Sequence, residues 1–170
     1  MRNLITFILT GASALLAACG SEQSGTVTTS DGETAEYRID EASGETTMTI
    51  KTPDGDATMR SGQSVPISLP DGFSLFPGST VVTNTVVNQP DGAGTMVTFE
   101  AGAKAAAIIA HFKAQAEKAG YAIELEATMN ETMMLSGKRA GDGASFMVST
   151  GAVVDGKTSG QLVFGKGAGG

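Results

Sequence analysis

The chain has 170 residues, 41% of them hydrophobic, which is enough for a domain with a modest core. Its 18 acidic residues outnumber 11 basic ones and no basic run occurs, so it is poorly suited to neutralise nucleic-acid phosphates. A single cysteine excludes an intrachain disulfide, and a single histidine restricts imidazole chemistry to one position.

The first 18 residues have the features of a secretory signal peptide. Arg2 supplies a short positive region, and residues 4–18 then run without a charge. This stretch is shorter than the ~20 apolar residues needed to cross the hydrocarbon core of a membrane, and it ends in small residues before Cys19. Residues 1–18 are therefore predicted to direct export and to be removed.

Residues 16–19, Leu-Ala-Ala-Cys, resemble the lipobox of bacterial lipoproteins. The resemblance implies cleavage before Cys19, lipidation of that cysteine, with palmitate among its acyl chains, and a mature protein held on the periplasmic side of a membrane. Gly20 stands where an aspartate commonly retains such proteins in the inner membrane, so the resemblance implies the outer membrane. The expected partners are this membrane and other envelope proteins, with no nucleic acid and no nucleotide.

The chain after the signal peptide is predicted to divide into four segments. Residues 19–25, rich in Gly and Ser, are expected to form a lipidated flexible tether. Residues 26–64 contain Thr-rich runs closed by Asp-Gly pairs and are expected to form a small β-meander. Residues 65–166 carry the clearest apolar pattern, and residues 167–170 are expected to be a disordered tail. Whether the meander packs on the main domain is left open.

The pattern of residues 65–166 predicts an α+β fold. Apolar residues recur at helical spacing over residues 103–119, with Gly102 as N-cap and Gly120 as the stop. Short turns make neighbouring strands antiparallel, so we expect a ββαββββ sheet with one helix packed on one face, preceded by the Thr-rich β-meander. Strands with period-2 alternation are expected at residues 80–88, 94–100, 121–127, 132–139, 144–150 and 159–165.

The entry to this segment, LPDGFSLFPGSTVV at residues 69–82, is followed by strands, one helix ending at Gly120-Tyr121, and further strands. This arrangement resembles a recurrent domain of uncharacterised bacterial envelope lipoproteins over residues 69–166. The resemblance supports the fold and implies no activity.

Residues 151–158 match the P-loop pattern Gly-x-x-x-x-Gly-Lys-Thr through Gly151, Gly156, Lys157 and Thr158. A P-loop needs a helix after these residues, because the helix N-terminal amides bind the phosphates. A short strand pattern follows here instead. We therefore interpret the segment as a β-hairpin and the match as chance, and we predict no nucleotide binding.

The remaining candidate residues define two alternatives. His111 lies at or beyond the edge of the apolar helix stripe, so a solvated histidine is favoured over the general base that a hydrolase would need.

Methionine thioethers bind soft metals such as Cu(I) and Ag(I), although core packing is their commoner role. The candidate ligands are Met129, Met133, Met134 and Met147. We favour a non-catalytic binding or structural accessory of the envelope without a cofactor, with a soft-metal carrier and a hydrolase as alternatives.

Overall fold

A computed structural model of the protein describes residues 22–28, 34–52 and 54–167, so the predicted signal peptide, Cys19 and residues 168–170 lie outside the described part. Its elements are β1 Glu22–Thr28, β2 Thr34–Asp40, β3 Glu45–Thr52, β4 Gly55–Gly62, β5 Thr80–Gln89, β6 Gly92–Ala101, α1 Ala105–Lys118, β7 Tyr121–Met129, β8 Thr132–Arg139, β9 Ser145–Val154 and β10 Lys157–Gly167. The strands form one sheet in the order β1-β2-β3-β4-β5-β6-β10-β9-β8-β7, and every neighbouring pair is antiparallel.

The predicted α+β class, a ββαββββ sheet with one helix on one face preceded by a small β-meander, is wrong. β4 pairs directly with β5, from Thr58 opposite Asn88 to Gly62 opposite Asn84, so the Thr-rich strands and the rest of the chain share one sheet. The single helix of the described residues has 14 residues and packs mainly on β7, β8 and β9. The protein is therefore mainly β. β1 also begins at Glu22, inside the segment expected to be a tether.

The predicted helix is confirmed with one correction at its start. α1 begins at Ala105, and its N-cap is Lys104 rather than Gly102, without a side-chain capping bond. At the other end Gly120 adopts φ 82°, and its N–H donates to the carbonyl of Glu117 at 3.1 Å, so glycine supplies the left-handed stop. The buried stripe consists of Ile108, Ile109, Phe112 and Ala116.

The core lies between α1 and the face of the sheet that α1 covers, which we call the helix side; the opposite face is called the open face. Phe99 of β6 and Phe112 of α1 are both fully buried, with ring centroids 5.9 Å apart. Residues 66–79 form a loop that adds Leu69, Phe73, Leu75 and Phe76 to this core. The amide of Asn84 fixes the start of the loop by donating to the carbonyl of Pro66 at 2.8 Å.

A β-bulge interrupts the alternation predicted for residues 121–127. The pairing of β7 with β8 shifts between Ile123 and Leu125, which leaves Glu124 as the extra residue. Leu125 consequently pairs with Ser136 on the open face and is 45% exposed. Because β7 is an edge strand, the bulge also disturbs an edge that could otherwise recruit further strands.

Candidate ligand-binding site

A cavity of about 320 Å³ opens where the loop of residues 66–79 meets the ends of β6, β7, β8, β9 and β10. Its lining includes Leu69 and Pro70 from the loop, Tyr121 and Phe164 from the sheet, and the cationic side chains of Arg139 and Lys166. Sites for small molecules are usually concave, largely apolar and about 300 to 1,000 Å³ in volume, with a few polar groups that fix orientation. This cavity meets that description at the small end of the range.

Four aromatic rings form the inner wall beside this cavity. Phe73 meets Phe164 and Tyr121 edge to face, with centroid separations of 4.6 and 5.6 Å. Tyr121 in turn meets Phe146 edge to face at 5.3 Å. The sheet register places Phe146 directly opposite Phe164, and the turn over residues 70–73 carries Phe73 onto them. Ring pairs of this geometry add to the stabilisation that comes from burial alone.

Tyr121 is the polar group of this wall. The residue is only 4% exposed, and its hydroxyl has no hydrogen-bond partner among the described residues. Burial raises the pKa of Tyr121, so the phenol is neutral near pH 7 and carries an unused donor and acceptor. A buried polar group without a partner is uncommon and unfavourable, and because this oxygen is closed off from solvent, a polar group of a ligand would satisfy it only after neighbouring side chains shift.

Arg139 and Lys166 share one carboxylate at the rim of the cavity. Arg139 lies opposite Tyr121 in the β7–β8 register, and its guanidinium carbon is 4.9 Å from the Tyr121 ring centroid. It donates to both oxygens of Asp142, at 3.1 and 2.7 Å, and Lys166 Nζ is 3.4 Å from the same carboxylate. The bonds from Arg139 and from the Ala144 N–H lower the pKa of Asp142 far below its ordinary value. Asp71, next to Pro70 of the lining, adds a second negative charge that, after the hydrogen bond to Asp142, also raises the pKa of Arg139. The rim therefore holds two cations and two carboxylates, and both Arg139 and Lys166 contact Asp142.

The only histidine of the chain is engaged in holding the loop. His111 Nε2 lies 3.2 Å from the carbonyl oxygen of Ser74 and 2.9 Å from Gln115 Nε2. The Gln115 side chain also accepts from the Ser74 N–H and donates to the Ser74 hydroxyl. Phe76 packs edge to face on the imidazole at 5.3 Å. The residue is therefore part of the contact between α1 and the loop rather than a solvated side chain.

The residues of the P-loop match lie at a hairpin. Asp155 and Gly156 adopt φ of 51° and 75° in the turn between β9 and β10. Lys157 pairs with Glu100 at 3.1 Å, and the Thr158 hydroxyl donates to the carbonyl of Ala103 at 2.6 Å. Gly151 lies within β9, and β10 rather than a helix follows the turn.

The four methionines considered as metal ligands are not brought together. Met133 faces the helix side and packs against the core, whereas its neighbour Met134 lies on the open face opposite Ser149. Met147 is also on the open face, and Met129, at the end of β7, is 68% exposed. Within residues 22–28, 34–52 and 54–167, no group of three or more His, Cys, Asp or Glu side chains is arranged to hold a metal ion.

The lipidation candidate Cys19 lies outside the described residues. Within the described ranges, no helix combines the length and the apolar character needed to cross a membrane.

Sequence reasoning missed the residues of the aromatic cavity. The sequence predicts Tyr121 only as the first residue of the strand at residues 121–127, and it assigns no functional role to Asp142. Arg139 and Lys166 belong to no motif, because their relation to Asp142 depends on the pairing of β8, β9 and β10. The one usable signal was the loop of residues 66–79, where large apolar residues stand among turn formers.

Comparison with known proteins identifies the family. The family model described as START domain-like matches residues 80–166, just over half of the chain. The chain therefore belongs to the START domain-like family. No curated protein and no solved structure matches the chain. The matched region runs from β5 to β10 and includes α1, the bulged edge strand and most of the aromatic cavity.

Proposed function

We propose that the protein is a membrane-anchored, non-catalytic ligand-binding module of the bacterial envelope, lipidated at Cys19 and sorted to the periplasmic face of the outer membrane. We propose further that the aromatic cavity binds a small amphiphile with an apolar body and an anionic group. The observation that carries the ligand proposal is the buried, unpartnered hydroxyl of Tyr121 beside two cations that share a single carboxylate.

The chemistry of the rim supports an anionic rather than a cationic headgroup. Arg139 donates to Asp142 through Nε and Nη2. A guanidinium has five N–H donors, and those on Nη1 have no partner among the described residues, so they remain for a ligand. A carboxylate placed there would gain charge-assisted hydrogen bonds, and the Tyr121 hydroxyl could donate a further one. The apolar part of such a ligand would lie against Leu69 and Phe164.

A binding role is favoured over catalysis because the single histidine of the chain already contacts Ser74 and Gln115. Membership of the START domain-like family also supports ligand binding as the role of residues 80–166. The lipobox resemblance of residues 16–19 supports the anchor, and Gly20 supports sorting to the outer membrane.

Tyrosine fluorescence gives a direct test of the ligand site, because the chain has no tryptophan and only two tyrosines. In a Tyr37→Phe background, Tyr121 is the sole reporter. Titration with octanoate should change its emission saturably. Arg139→Gln should weaken octanoate binding about 10- to 100-fold, the range expected for a lost hydrogen bond to a charged group. Lys138→Gln is the matched control, since Lys138 is the preceding residue of β8 and lies on the open face.

Three results would count against this site. Octanol binding as tightly as octanoate would refute the anionic specificity. An equal loss of affinity in Arg139→Gln and Lys138→Gln would refute recognition by the rim. Failure of both octanoate and octanol to change the Tyr121 emission would refute an amphiphile site in this cavity.

The anchor has its own test, independent of the ligand. Labelling cells with a palmitate analogue should modify the wild-type protein and not Cys19→Ser, and density-gradient fractionation should place the wild type in the outer membrane. Gly20→Asp should keep the label and move the protein to the inner membrane. Label on Cys19→Ser would refute lipidation at this residue, whereas wild type in the inner-membrane fraction would refute only the sorting.

A further inference from the structure

The loop of residues 66–79 forms one wall of the aromatic cavity and is held less firmly than the other walls. Those other walls come from β6, β7, β8, β9 and β10, which belong to one sheet whose neighbouring strands are paired by backbone hydrogen bonds. Within the described residues, the loop backbone makes two hydrogen bonds of its own, in the turns over residues 70–73 and 76–79, each 3.0 Å long. A movement that opens the cavity is therefore expected in the loop rather than in the sheet.

A polar contact with α1 holds the middle of this loop. The Ser74 N–H donates to Oε1 of Gln115 at 3.0 Å, and Nε2 of Gln115 donates to the Ser74 hydroxyl at 2.9 Å. The first bond fixes which end of the Gln115 amide is the acceptor, so Nε2 of Gln115 is also the donor to His111 Nε2, 2.9 Å away. We call Ser74, His111 and Gln115 the Ser74 latch.

The latch lies near the surface, whereas the group behind the loop is buried. Ser74 is exposed and Gln115 is half-buried, so water can replace their hydrogen bonds when these break. Tyr121 is only 4% exposed, and Phe73, the residue before Ser74, packs edge to face on its ring at 5.6 Å. Release of Ser74 therefore frees the neighbouring residue that covers Tyr121.

We propose that the Ser74 latch controls access to the aromatic cavity, with Gln115 as the positioning residue that keeps residues 66–79 closed over Tyr121. This inference rests on the proposed ligand site and concerns how fast a ligand enters and leaves. The latch closes the free and the ligand-bound protein alike, so it contributes equally to both states and does not change the affinity. The loop precedes residues 80–166, so the family match does not imply this role.

Quenching of Tyr121 fluorescence by acrylamide tests the latch without a ligand. In the Tyr37→Phe background, Tyr121 is the sole tyrosine. Gln115→Met keeps the length of the side chain and removes its hydrogen bonds. The quenching constant should rise about 5-fold or more, the change in an opening equilibrium that follows from losing one ordinary hydrogen bond. Gln161→Met is the matched control and should not change it, because Gln161 contacts Met96 on the open face of the sheet.

Stopped-flow binding of octanoate tests the effect of the latch on entry and exit. Gln115→Met should raise the association and dissociation rate constants by the same factor and leave Kd unchanged, because opening precedes both steps. A weaker affinity with an unchanged association rate constant would make Gln115 a part of the binding site and would overturn the proposal.

The quenching comparison has two further outcomes that would overturn the proposal. One is an unchanged quenching constant in Gln115→Met, and the other is an equal rise in Gln161→Met. If octanoate does not bind the wild type, the proposed ligand site fails, while quenching still decides whether the latch covers Tyr121. Far-UV circular dichroism shows whether each variant is folded. Should Gln115→Met not fold, Ser74→Ala, which removes only a hydroxyl from an exposed position, should give a smaller rise in quenching, and no rise would overturn the proposal.

Discussion

Tyr121→Phe should increase the stability of the protein while it weakens ligand binding. The substitution keeps the ring that contacts Phe73, Phe146 and Arg139 and removes only the hydroxyl, which is buried without a partner among the described residues. Leaving a buried hydroxyl unpaired costs about 1 to 3 kcal/mol. Because relaxation of the surroundings recovers part of this cost, we expect the free energy of unfolding to rise by about 1 kcal/mol, or about 2 to 4 °C in Tm for a chain of this size.

Urea unfolding followed by far-UV circular dichroism measures this change, and an unaltered m-value would show that the extent of unfolding is the same. Tyr37→Phe is the control, because Tyr37 is half-exposed and its hydroxyl is not among the buried unpartnered groups, so its effect should stay within about 0.5 kcal/mol. A loss of more than about 0.5 kcal/mol in Tyr121→Phe would refute the reasoning, since it would mean that the hydroxyl is hydrogen-bonded in the folded protein.

Three further predictions concern stability. Phe112→Ala should lower the free energy of unfolding by about 3 to 5 kcal/mol in urea titrations, because it empties a fully buried ring site against Phe99; a loss below about 1 kcal/mol would contradict this packing. Gly160→Ala should cost about 1 to 3 kcal/mol, since its Cβ would overlap the Phe99 ring, and an unchanged Tm would show that the ring can move. The ionised carboxylate of Asp142 stabilises the folded protein at pH values above its ordinary pKa of 3.8. This stabilisation is lost as the pH falls through the lower pKa that Asp142 has in the folded protein. Asp142→Asn should therefore show a flatter decline in Tm between pH 5 and pH 2 than wild type; identical profiles would remove Asp142 as the cause.

The sequence was a good guide to local structure and a poor one to the extent of the sheet. Asp-Gly pairs gave the turn between β9 and β10, and helical periodicity gave α1 to within two residues. The pairing of Thr58 with Asn88 was not predictable, because backbone hydrogen bonds between polar strands leave no periodic signal. The bulge at Glu124 was missed for a related reason: inserting one residue changes the register without changing the composition.

The candidate ligand site was beyond sequence reasoning because its parts are distant along the chain. Leu69, Tyr121, Arg139 and Phe164 each belong to a different element, and their convergence depends on the strand order. Strand alternation alone places Met133 and Met134 on opposite faces, and the register of β8 with β9 agrees, with Met133 on the helix side and Met134 on the open face. Which side chains meet at the cavity is thus a property of the sheet rather than of any local segment.

The position of β10 has a consequence for how the chain can assemble. β10 is the last strand in chain order among the described residues, yet it lies between β6 and β9 in the middle of the sheet. Gln161 reaches Met96 across 65 residues of sequence, a contact of high order that forms slowly. Until residues 157–167 are available, β1–β6 and β7–β9 are two sets of antiparallel strands that no strand joins. The sheet is therefore completed last at its middle, so a chain cut before β10 lacks the strand that unites its two halves.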